Sequence, residues 1–71
     1  MMKFEVGKEY EPYQREYGSV KVIRRTGKTI WVEKNHVRWS MRVKMDADGN
    51  EFATDTSVPQ RDRDAFTYMA E

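Results

Sequence analysis

The chain has 71 residues, no cysteine, and 13 Lys or Arg against 12 Asp or Glu, for a net charge of +1. That is one domain, without a disulfide or thiolate metal site to reinforce it, and a chain this short buries only about 60% of the surface it exposes when unfolded. Apolar runs stop at two or three residues, as in Ile30–Val32, far short of the roughly 20 that span a bilayer, and the start lacks the apolar stretch of a signal peptide. The chain therefore reads as soluble and cytoplasmic. Its 9 aromatics (Trp 2, Tyr 4, Phe 3) exclude a disordered tail.

The small net charge hides a sorted distribution. Residues 1–20 carry −1, residues 21–44 carry +7 with Glu33 the lone acid, and residues 45–71 carry −5. A near-neutral chain arranged this way offers a cationic surface to an anionic partner.

Along the chain, Phe4, Val6, Gly7 and Tyr10 read as a short strand and loop crossing the open end of a sheet, with Tyr13 and Tyr17 leading onward. Val20–Arg24 is the first long strand. A three-residue loop of Arg25, Thr26 and left-handed Gly27 follows, and Thr29–Glu33 is the second strand. A two-residue turn at Lys34 and Asn35 leads to the strongest signal, Val37–Met45, where Val37, Trp39, Met41, Val43 and Met45 alternate with Arg38, Ser40, Arg42 and Lys44. The turn D-A-D-G (46–49) precedes a fourth strand, Glu51–Thr54. Gln60–Asp64 is polar, and Ala65–Ala70 reads as a closing strand or one helical turn, with the strand favoured.

These turns imply registers. The central hairpin would pair Val32 with Val37, Trp31 with Arg38 and Ile30 with Trp39; the preceding one would pair Val20 with Val32, Lys21 with Trp31 and Val22 with Ile30; the last would pair Lys44 with Glu51 and Val43 with Phe52. The fold class is mostly β: a small SH3-like or OB-like antiparallel barrel over residues 1–71, a four-strand meander with a short closing strand. The core face would hold Val20, Val22, Ile30, Val32, Val37, Trp39 and Val43, with Met41 and Met45 filling gaps.

Lys3, Phe4, Val6, Gly7, Lys8 and Tyr10, then Arg25, Thr26, Lys28 and Thr29, then the turn D-G-N-E at 48–51, carry a resemblance. Over residues 3–54 the chain resembles small, uncharacterised proteins of phages and conjugative elements of Gram-positive bacteria, which share K-F-E-V-G-K-x-Y, an R-T-x-K-T hairpin and a later D-G-x-E turn. Gln60–Asp64 departs from that pattern. The resemblance implies a mobile-element accessory protein and brings no activity with it.

The outward face of the sheet would carry a transverse row of Lys21, Trp31 and Arg38 beside Ser40, Arg42 and Lys44. An aromatic ring among cations is how single-stranded nucleic acid is held, bases on the ring and phosphates on the cations. Arg24, Arg25 and Lys28 at the hairpin tip would extend the track or form a solvated turn. The expected site is Lys21, Trp31, Arg38, Arg42, Lys44, Arg25 and Lys28, and the expected partner is single-stranded or structured nucleic acid. Other readings stay open. Trp31 packs instead under a terminal segment or on Arg38, or the acids Asp55, Asp62, Asp64 and Glu71 fold back over the cations or pair with a second copy. Alternatively the acids and Tyr10, Tyr13 and Tyr17 dock on a host protein complex. The chain would be a monomer or a homodimer.

Enzymatic signals fail on inspection. His36 is the single histidine, Ser19, Ser40 and Ser57 have no base at a recognisable spacing, and no glycine-rich phosphate cradle exists. D-A-D-G-N-E (46–51) starts like a calcium loop but has Glu51 where glycine belongs and Ser57 where the closing glutamate belongs. No catalytic, metal or cofactor site is expected.

Overall fold

A computed structural model describes residues 2–70. Among these, six strands form one antiparallel sheet in sequential order: β1 (Glu9–Tyr10), β2 (Val20–Arg25), β3 (Thr29–Lys34), β4 (Val37–Met45), β5 (Glu51–Thr54) and β6 (Thr67–Met69). A bridge between Pro12 and Tyr68, together with Tyr13 N–H donating to the Thr67 carbonyl at 2.9 Å, joins the two ends of the sheet. The result is a nearly closed small barrel, the mostly-β meander with a short closing strand that the alternation implies. No helix among the described residues is long and apolar enough to cross a membrane.

The core fills the barrel with Phe4, Tyr10, Val20, Val22, Ile30, Val32, Met41, Ala53, Tyr68 and Ala70, and Trp39 and Val43 pack against it half-buried. Each large side chain so buried contributes about 1.5–3 kcal/mol. Phe4 meets Tyr10 edge to face at 4.9 Å, and the Tyr10 hydroxyl accepts the Glu5 N–H at 2.8 Å. Val37 and Met45, expected inside, are 60% and 56% exposed. Both sit at the ends of a nine-residue strand: Val37 lies beyond the ladder to β5, which runs only from Met45 to Val43, and Met45 is the last residue before the 46–50 loop.

The registers need correction. At the central hairpin the turn is Asn35–His36, whose φ values of 51° and 66° are the left-handed pair of a type I′ turn. Lys34 therefore faces Val37, Val32 faces Trp39, Trp31 faces Ser40 and Ile30 faces Met41. The slip is two residues, which leaves every side chain on its expected face. At the β2–β3 hairpin, Val22 faces Val32, but a bulge between Val22 and Arg24 then sets Arg24 against Trp31 and Arg25 against Ile30. The loop there is 26–28, and Gly27 does not take a positive φ.

At the β4–β5 hairpin Asn50 belongs to the loop, because the Asp46 carboxylate accepts the N–H groups of both Asp48 and Asn50 at 2.9 Å. Met45 then faces Glu51 and Val43 faces Ala53. This one-residue slip turns Glu51 and Ala53 inward and Phe52 outward.

Candidate nucleic-acid interface

The outer face of β2, β3 and β4 is built in rows across the strands. One row is Lys21, Glu33 and Arg38; the next is Arg24, Trp31 and Ser40; the third is Thr29 and Arg42. Lys21, Trp31 and Arg38 share a face as expected, but Trp31 lies one row away from the other two.

Glu33 changes the first row. Arg38 Nε donates to Glu33 Oε2 at 2.7 Å with the arginine side chain 70% exposed. That hydrogen bond, against an opposing effect of burial, holds the Glu33 carboxyl below the usual carboxylate range, with smaller help from the charges of Arg38, His36 and Lys21. The row thus presents one net positive charge from two cations.

Trp31 is half-buried, and the Arg24 guanidinium lies 4.9 Å from its ring centroid. Arg24 sits there because the bulge at Ile23 adds a residue to β2 and places Arg24 on the outer surface opposite the indole. An exposed cation–π contact is worth about 0.5–1 kcal/mol, whereas a nucleobase stacked on an aromatic ring is worth about 1–3 kcal/mol. A base can therefore displace Arg24 or stack on the outer side of its guanidinium plane.

The bulge has the opposite effect on Arg25. Its guanidinium turns to the inner side, donating to Glu51 Oε1 at 2.8 Å, to Oε2 at 3.1 Å and to the Phe4 carbonyl at 2.8 Å. The carboxylate of Glu51, 7% exposed, also accepts the Phe4 N–H at 2.9 Å. The hydrogen bond from Arg25, against an opposing effect of burial, holds Glu51 below the usual carboxylate range, with the Phe4 N–H adding to the effect. The hydrogen bond from Arg25 to Glu51 in turn raises the arginine's affinity for its proton. Arg25 fastens the N-terminal segment and β5 to the hairpin, so it is neither a solvated tip residue nor part of the cationic track.

Lys28, Arg42 and Lys44 converge instead. With Gly27, Val43, Met45 and Glu51 they line a shallow groove of about 360 Å³. The backbone brings them together, since Val43 N–H donates to the Lys28 carbonyl at 2.7 Å and Arg42 faces Thr29. Among the described residues, Lys21, Arg24, Lys28, Arg42 and Lys44 make no ion pair. Of the acids expected to fold back, Asp55 binds Ser57 at 2.6 Å, Asp62 approaches Arg61 at 3.9 Å, and Asp64 makes no ion pair among the described residues. Glu71 lies outside the described residues.

Sequence reasoning on the expected site missed Arg24 as the partner of Trp31, since a bulge leaves no mark on an alternating pattern. Comparison with protein-family models, curated proteins and solved structures finds no match.

Proposed function

We propose that the chain is a non-enzymatic small barrel that binds single-stranded nucleic acid on the outer face of β2–β4. Trp31 and Arg24 hold a base. Lys28, Arg42 and Lys44 hold the backbone on one side of it, and Lys21 and the exposed Arg38 receive it on the other. The observation that carries this reading is a half-exposed indole flanked by Lys21, Arg24, Lys28, Arg42 and Lys44, none of which makes an ion pair among the described residues. Residues two apart on a strand are about 6.6 Å apart, close to the spacing of successive phosphates on a strand, so rows of this face match a backbone running along it. The mobile-element setting rests on the resemblance of the opening, hairpin and D-G-N-E segments.

The test is an anisotropy titration with single-stranded DNA, RNA and duplex oligomers across salt concentrations. Lys28, Arg42 and Lys44, with the one net charge of the Lys21–Glu33–Arg38 row, make four phosphate contacts, which predict a log–log salt slope of about −3 for a single strand. Loss of neither affinity nor slope in Arg42→Glu/Lys44→Glu removes the reading.

A further inference from the structure

Part of the β4 edge is open, and its location follows from hydrogen-bond parity. The β3–β4 hairpin closes on Lys34 and Val37, and Val43 N–H donates to Lys28, so the odd-numbered residues of β4 bond to β3. The even-numbered residues face the other side. There, Asp46 N–H bonds Asn50, and the ladder to β5 runs from Met45 only as far as Val43. Beyond it, the N–H and C=O groups of Arg38 and Ser40 have no backbone, loop or side-chain partner among the described residues. Both residues are exposed.

We propose that this edge of β4, residues 37–42, takes an added strand from an extended acidic segment of a partner protein. The inference concerns the sheet edge and does not rest on the nucleic-acid reading. An unpaired edge is a template for another strand, with backbone bonds giving affinity and alternate side chains giving selectivity. The side chains beside this edge specify the occupant. Arg38 and Arg42 stand on the outer face, which calls for acids opposite them. Val37, 60% exposed, and half-buried Trp39 alternate with them, which calls for apolar residues between the acids.

A second copy fits poorly. Antiparallel pairing of two β4 strands about Ser40 sets Arg38 of one opposite Arg42 of the other, and like charges directly across a ladder repel.

Ser40→Pro separates the edge from the rest of the molecule. It deletes an N–H that points away from β3, in a place where proline is compatible with an edge strand. The probe is a blocked peptide of alternating Glu and Val, with a block-sequence peptide of equal composition as control. The expected result is slowed hydrogen exchange at the Arg38 and Ser40 amides with the alternating peptide alone. Ser40→Pro should weaken its binding about tenfold or more. Should Ser40→Pro fail to fold, N-methylation of the peptide at alternate residues makes the same cut from the other side and should abolish binding in one of its two phases. Equal binding of both peptides, no protection at residues 38 and 40, or insensitivity to N-methylation in both phases overturns the proposal. A dimer in sedimentation that Ser40→Pro dissolves overturns it in favour of self-pairing.

Discussion

Arg24 and Arg25 are adjacent in the chain and belong to opposite regions of the molecule. Arg25 enters a corner where Glu51, Phe4 and the hairpin itself satisfy its guanidinium, whereas Arg24 lies on an open face where an indole is its contact. The corner uses its charges to hold the barrel shut. The face leaves most of its charges without acids. A cation's sequence neighbourhood therefore says little about its availability, and what separates the two arginines is a single extra residue in β2.

The comparison breaks most visibly at the corner. Removing one partner of a buried ion pair strands the other, at about 3–5 kcal/mol, in a domain whose total stability is on the order of 4–10 kcal/mol. Glu51→Ala should lower the urea midpoint more than any substitution on the outer face. Trp39→Ala comes next. Full burial of such a ring would predict about 3–5 kcal/mol, and half-burial reduces that to about 2 kcal/mol. Trp31→Ala should cost less than about 1 kcal/mol of stability, the worth of its arginine contact, yet remove about 1–3 kcal/mol of oligonucleotide affinity.

Much of the barrel is legible in the residues. Alternation marks β3 and β4 nearly to their ends, the D-A-D-G turn places β5, and the faces of Trp31, Arg38, Ile30 and Val32 follow from the alternation. Alternation is blind to a shift of two, which is why the central turn falls on Asn35–His36 while each residue keeps its face. Glu51 shows the harder limit. A turn one residue longer, held by Asp46, carries that acid from the surface to the interior, and its partner lies 26 positions away in Arg25. No local pattern encodes that pair. The cations of the candidate face were visible as a cluster, but the acid that neutralises part of it, Glu33, became an Arg38 partner only through the register.

Two smaller effects sharpen the contrast. Because Arg25 and Phe4 depress the Glu51 pKa in the folded state, the pair's stability is fully present above the unfolded carboxylate value of about 4.3. It is lost as pH falls through the lower folded value. Acid titration of Glu51→Gln should lack that part of the decline, while variants of the outer face retain it. On the face, each of Lys28→Ala, Arg42→Ala and Lys44→Ala should reduce the salt slope of single-strand binding by about 0.7. Arg25 variants that remain folded should leave the slope unchanged.

The most direct test is an amide and indole chemical-shift titration with a single-stranded oligonucleotide. The largest movements should fall on Arg24, Lys28, Arg42, Lys44 and the Trp31 indole, with Phe4, Arg25 and Glu51 still. Stationary resonances across the outer face at saturating oligonucleotide, or movement centred on the Arg25–Glu51 corner, would contradict the account.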